Sequence, residues 1–241
     1  MTCFKWIYSA VFLLLVVTLV SGCANGRLTT VTEHPALDYE ITGIPILFFG
    51  FGTSTPITPN LSLTAAHVAK ANYDKVIAYH PECDLALVES DNSVQSFSSL
   101  GLVYPNDKVQ TFGMNFTGQV LRGDGAYHRD LMLIESKYFK ACPASITDAP
   151  IQDGMSGGGV YNEVNELVGI IAAVARKGDI RLLNGEPLPI ERVSIFVALN
   201  FVRDWLDAQV QSYYGAQVYR LTWHDSKAQG QILADNHLGK K

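Results

Sequence analysis

The sequence predicts an all-β protein with a single helix near its end. Three observations carry that expectation. Short apolar runs recur along the chain, turn residues separate them, and helical periodicity is nearly absent before about residue 200. Regularly spaced short strands of this kind close into a barrel or pair into a sandwich.

The totals bound what such a chain can do. With 241 residues, 48% of them hydrophobic, and a net charge of −5, it can bury one large core or two small ones. Its 18 Lys and Arg residues are scattered, which leaves no electrostatic footprint for nucleic acid and excludes that partner.

Targeting signals come first. Lys5 precedes an apolar run from Trp6 to Val20 that ends in Ser21-Gly22-Cys23, the order of a secretory signal, and the run is short for a spanning helix. Val20-Ser21-Gly22-Cys23 also resembles the bacterial lipobox, in which cleavage precedes a cysteine that receives diacylglycerol. That resemblance implies a signal peptide over 1–22, lipidation at Cys23, a polar tether over 23–37, and an exported protein anchored to a bacterial membrane, facing the periplasm or the cell exterior. An ordinary signal peptide or an uncleaved anchor is the alternative. Cys3 leaves with the signal, so Cys83 and Cys142 remain for the folded part, as a disulfide or as two buried thiols. No Cys/His pair has zinc spacing, and neither a metal nor a cofactor is expected.

Strands are expected around Ile46–Phe49, Leu61–Thr64, Lys75–Tyr79, Leu85–Val88, Lys108–Phe112, Gly118–Leu121 and Asp130–Ile134, then a hairpin from Gly159–Tyr161 into Leu167–Val174. The helix is expected over 199–211. Asn200 would be its N-cap, and Val202, Trp205, Leu206 and Val210 recur at spacings of three and four. Val218, Leu221 and Trp223 suggest a last extended segment within a polar extension over 212–241.

The candidate chemistry starts from Gly154-Met155-Ser156-Gly157-Gly158. Glycines around a serine permit φ > 0 and close approach, which a nucleophile and its amide donors both need, although a plain glycine turn gives the same letters. Of six histidines, His67 stands out, because a strand runs into the small residues Thr64-Ala65-Ala66 just before it. Asp84 heads the apolar strand Leu85-Ala86-Leu87-Val88, where a buried carboxylate needs a partner.

Thr64-Ala65-Ala66-His67, Asp84-Leu85-Ala86-Leu87 and Gly154-Met155-Ser156-Gly157-Gly158 together resemble, in residues and in chain order, the motifs of the chymotrypsin-like serine peptidases. The resemblance spans roughly Gly43 to Gln211. Thr147-Asp148-Ala149, Asn165-Glu166-Leu167-Val168-Gly169-Ile170 and Asn106-Asp107-Lys108-Val109 look most like the bacterial HtrA branch. It implies two six-stranded β-barrels packed together, over 38–98 and 99–198, followed by the C-terminal helix. It also implies a serine endopeptidase acting on protein or peptide, with His67, Asp84 and Ser156 as the triad and the N–H groups of Gly154 and Ser156 as the oxyanion hole. Pro150 would lie at the base of the specificity pocket, with Ala172, Ala173 and Val174 along one wall. None of these four is charged, so nothing favours a Lys or Arg side chain there, and Val174, if it projects inward, narrows the pocket in favour of a small or aliphatic residue before the scissile bond.

Two departures limit the resemblance. Met155 stands where digestive members carry an aspartate that pairs with a new N-terminus, so that route of activation is not expected. No segment after the helix is long enough for the PDZ domain usual in HtrA proteins, so chaperone-protease behaviour is not carried over. Two rival readings are weighed. Gly154-x-Ser156-x-Gly158 fits the nucleophile elbow of α/β-hydrolases, with Asp204 or Asp207 and then His224 as partners, but that elbow needs a helix directly after the serine. A lipoprotein with a peptidase fold could instead act by binding, its triad vestigial.

Overall fold

The computed structural model describes residues 24–44, 48–134, 136–215 and 219–225. The proposed signal peptide and Cys23 lie outside them, as do Ile46, Leu47, Val218 and most of the polar extension.

After a short strand β1 (Thr29–Thr30), the first half of the chain forms an antiparallel sheet. Its strands are β2 (Asp38–Ile44), β3 (Phe48–Thr58), β4 (Leu61–Thr64), β5 (Val76–Tyr79) and β6 (Ala86–Glu89), in the order β2-β3-β4-β6-β5. A four-residue helix α1 (Ala66–Ala69) follows β4. β3 serves both sides of the sheet. Phe48–Ser54 pair with β2 and Thr55–Thr58 with β4, with a register shift between Pro56 and Thr58 where the strand turns. From Gly52 to Thr58 every residue is buried, so its hydroxyls must find partners inside the protein. Ser54 Oγ donates to the Glu40 carboxylate, and Thr55 Oγ1 donates to Gly157 O at 3.1 Å.

The second half begins at β7 (Leu100–Gly101) and continues through β8 (Lys108–Met114), β9 (Val120–Leu131), β10 (Ala144–Thr147), β11 (Gly159–Asn162), β12 (Leu167–Ala175) and β13 (Val193–Ala198). Six of these close on themselves in the order β8-β9-β10-β13-β12-β11, because β11 pairs with both β12 and β8. Closure leaves the barrel no free edge. The double-barrel class is therefore borne out, with a closed six-stranded second barrel and five described strands in the first half.

Several boundaries differ from those expected. The runs at Gly118–Leu121 and Asp130–Ile134 are not two strands but the two ends of the twelve-residue β9. The break in its apolar pattern has a steric cause, since a Cβ at Gly123 would come 2.2 Å from the Pro150 carbonyl oxygen. β10 and β13 were not anticipated. Both are buried along their whole length, including the polar Ser145, Thr147 and Ser194, which interrupt the apolar runs that mark the other strands. The helix α2 runs from Arg203 to Tyr214, after a 3₁₀ turn over Leu199–Phe201, and Asn200 does not cap it. The Asn200 amide instead donates to Val103 O at 2.9 Å and accepts from Val103 N at 3.1 Å, pinning the start of the second half.

One apolar cluster joins the two halves and the helix, through Leu61, Leu63, Leu85 and Leu87 from the first, Ile146, Ile170 and Val197 from the second, and Leu206 and Val210 from α2. Each fully buried side chain of this size contributes about 1.5–3 kcal/mol. Cys83 and Cys142 form a disulfide with Cα atoms 5.1 Å apart, which resolves the alternative left open by the sequence.

Residues 24–37 are not a free tether. Asn25 bonds to Ile151, β1 pairs antiparallel with β9, and Leu37 is 7% exposed. At the other end β14 (Trp223–His224) runs parallel to β7, and Trp223 Nε1 donates to Asp207 Oδ1 at 2.9 Å.

Candidate active site

His67 and Asp84 are brought together by local structure. The short apolar β4 ends at Thr64, Ala65 is wholly buried, and α1 starts at once, so His67 falls in the first turn of a helix. Backbone N–H groups there have no partner within the helix. Asp84, 3% exposed at the head of β6, supplies one, its Oδ1 accepting from His67 N at 3.0 Å. Its Oδ2 lies 2.7 Å from His67 Nδ1. An ionised carboxylate only accepts, so Nδ1 is the nitrogen that donates to Asp84 and Nε2 is the one turned away from it.

The Asp84 loop is itself held. His80 Nδ1 accepts from Glu82 N at 3.2 Å and from Cys83 N at 3.0 Å, and burial lowers the His80 pKa, in keeping with a neutral acceptor. The His80 ring stands against Trp205 of α2 with centroids 5.0 Å apart.

Ser156 lies on the loop between β10 and β11, and Gly52 is its shared neighbour with α1. A Cβ on Gly52 would come 2.7 Å from Val68 Cγ1 and 3.4 Å from Ser156 O. Thr53 fastens the serine loop to β3. Its N–H donates to Ser156 O at 2.9 Å, its Oγ1 donates to Gly154 O at 2.9 Å, and the same Oγ1 accepts from Met114 N at 3.0 Å. Gly154 has φ +91°, and a Cβ there would sit 1.8 Å from the Phe51 ring, so both backbone and packing require glycine. Among the described residues, neither the Gly154 nor the Ser156 N–H finds an acceptor within the protein.

The serine hydroxyl itself donates to Ala172 O at 3.3 Å and not to His67. Pro150 is buried, with its carbonyl accepting from Thr111 Oγ1 at 2.8 Å, and Ala172 is 2% exposed. Ala173 packs on the main core, while Val174 is 37% exposed. Met155 is wholly buried in an apolar cluster with Val109, Ile151 and Ile171.

The structure does not assemble the α/β-hydrolase alternative. β11 follows the serine loop where that elbow needs a helix, Asp207 is engaged by Trp223, and His224 Nδ1 lies 2.7 Å from Glu166 Oε1. Sequence reasoning missed Thr53, His80 and Tyr138, whose ring stands 5.6 Å from that of His67. The only signal for Tyr138 was Cys142, four positions on, whose partner Cys83 adjoins Asp84.

No protein-family model matches the sequence, and no curated protein matches it. Solved structures do. The HtrA-type protease AlgW with a tripeptide is 18% identical with a TM-score of 0.58, the match covering 74% of this chain and 61% of that one. The fold is that of the trypsin-like serine proteases. Two further structures with this trypsin-like fold are the MamO protease domain from Magnetospirillum magneticum and the active form of the Rv3671c protease from M. tuberculosis. The first is 18% identical with a TM-score of 0.53, covering 71% of this chain and 95% of that one. The second is 13% identical with a TM-score of 0.58, covering 78% and 83%.

Proposed function

We propose that this protein is a serine endopeptidase with Ser156 as nucleophile, His67 as general base and Asp84 as the orienting acid. The observation that carries the reading is the two-point hold of Asp84 on His67, whose neighbour Val68 lies against Gly52 on the same strand that meets the Ser156 carbonyl. On substrate binding the Ser156 hydroxyl leaves Ala172 O for His67 Nε2. Oγ then attacks the scissile carbonyl, its proton passes to Nε2, and the carbonyl π electrons move onto oxygen. The unpaired N–H groups of Gly154 and Ser156 are suited to receive that oxyanion, each such donor being worth about 3 kcal/mol. Collapse breaks the C–N bond, Nε2 returns the proton to the leaving amine, and water hydrolyses the acyl-enzyme by the same steps. None of these steps requires a cofactor.

The substrate class is protein or peptide. The AlgW structure contains a tripeptide, and here the uncharged Pro150, Ala172, Ala173 and Val174 offer nothing to a Lys or Arg side chain, with Val174 narrowing the pocket in favour of a small or aliphatic residue before the cleaved bond. Cleavage mainly after Lys or Arg would contradict that preference. Lipid anchoring at Cys23 and export rest on the sequence motif. The Cys83–Cys142 disulfide supports an oxidising compartment.

Ser156→Ala is expected to abolish peptide hydrolysis and fluorophosphonate labelling without altering the circular dichroism spectrum. Retained turnover by the purified variant would overturn the assignment. A second reading, a binding module with this fold, is favoured by the hydroxyl's bond to Ala172 O in place of His67. Absence of fluorophosphonate labelling in the unmodified protein would select it.

A further inference from the structure

We infer that residues 25–31 form a strap that positions the serine loop, with Asn25 as the positioning residue. The inference rests on the peptidase reading above. Ile151 lies five positions before Ser156 and is 2% exposed, so its backbone groups must be paired within the protein. Asn25 pairs both of them. Its main-chain N–H donates to Ile151 O at 3.1 Å, and its side-chain Oδ1 accepts from Ile151 N at 2.9 Å.

The other end of the same amide reaches the barrel wall. Asn25 Nδ2 donates to Ser194 Oγ at 3.0 Å and to Val193 O at 3.4 Å, and Ser194 Oγ donates onward to Ala149 O at 2.6 Å. One side chain thus ties the approach to the serine loop to β13. Gly26 lies flush on the same stretch, since a Cβ there would come 2.9 Å from Pro150 Cβ and 2.8 Å from Arg192 Cδ. Leu28 packs on the cluster that holds Ile151 and Met155, the residue before Ser156. Thr29 and Thr30 then pair with Arg122 and Leu121, and Val31 N donates to Val120 O at 3.0 Å.

Losing the amide would leave the buried Ile151 N–H unpaired and free the loop toward Gly154 and Ser156. Because the strap follows Cys23 directly in sequence, a lipid there would hang two residues from the clamp.

The test uses the full chain. In Asn25→Ala, kcat for a peptide substrate is expected to fall roughly tenfold with KM changed by less than about twofold, the mark of a site less well formed and not of weaker substrate binding. Hydrogen exchange over residues 149–157 should quicken. Asn25→Asp, which keeps the acceptor for Ile151 N but loses the donor to Ser194 Oγ and Val193 O, should recover only part of the loss. Gly26→Val, which keeps Asn25 but lifts the strap off Pro150, should reproduce it. Unchanged kcat and unchanged exchange in both Asn25→Ala and Gly26→Val would overturn the inference, as would a lowered melting temperature with normal kcat. If the unmodified protein takes no fluorophosphonate, the peptidase reading fails, and exchange over 149–157 still decides whether the strap holds the loop.

Discussion

The rings of Tyr138 and His67 meet in an edge-to-face pair, with centroids 5.6 Å apart and planes inclined at 60°. Asp84 holds that imidazole through Nδ1, so the histidine is gripped at one edge by a carboxylate and flanked by an aromatic ring. The two contacts come from opposite halves of the chain.

An imidazolium forms at His67 during the proposed acylation, and the Tyr138 ring packed against it limits the imidazole's rotation, an aromatic pair of this geometry being worth about 1 kcal/mol. Tyr138→Ala should therefore lower kcat/KM by about two- to fivefold. Tyr138→Phe, which keeps the ring, should remain near the unmodified value. Steady-state kinetics on one peptide across pH 5–9 provides the check. Equal kcat/KM in Tyr138→Ala and the unmodified enzyme would show that the ring merely covers the histidine.

The segment carrying Tyr138 is secured by the disulfide. Cys142 bonds to Cys83, the residue before Asp84, and Lys140 N donates to Glu82 O at 3.1 Å. A cross-link closing a loop of this length, 59 residues in separation, stabilises a fold by roughly 2–4 kcal/mol. Cys83→Ser/Cys142→Ser should melt at a lower temperature than the oxidised protein and match the unmodified protein melted under reductant. Activity should fall alongside, because both the Asp84 loop and the Tyr138 loop lose their mutual anchor. Identical melting with and without reductant would contradict this.

Which of these features the sequence could disclose follows from how far apart the contributing residues lie. Ser156, His67 and Asp84 each sit in a local pattern of small or apolar neighbours that reflects their own backbone needs, so each leaves a mark within a few residues. Thr53 leaves none. It acts on Gly154 across 101 positions, and in sequence it is one hydroxyl residue among several in β3. Asn25 acts on Ile151 across 126 positions from a stretch whose polarity reads as a tether. The closed barrel was legible in its short apolar runs but not in β10 and β13, where the buried Ser145 and Ser194 break the run. The helix was legible in its apolar spacing, yet Asn200 misled because an asparagine before a helix can equally well bond backbone elsewhere.

Glu40 gives a prediction about pH. It lies on β2, 7% exposed, and accepts hydrogen bonds from Ser54 Oγ and from Asn72 Nδ2. Burial is the largest influence on its carboxyl and, with Asp74 nearby, pushes the pKa from 4.5 up to about 7. Between those two values the folded chain holds a proton that the unfolded chain has released. Stability must then fall as pH rises through that window, by at most ~1.4 kcal/mol per pH unit. Glu40→Gln keeps the side chain's size and, like the protonated acid, offers an acceptor and a donor, but cannot ionise. The variant should lose this part of the pH slope and gain stability over the unmodified protein at pH 8, with little difference at pH 4. Urea unfolding midpoints at several pH values measure both. Parallel pH curves for the two proteins would show that Glu40 does not titrate in this range.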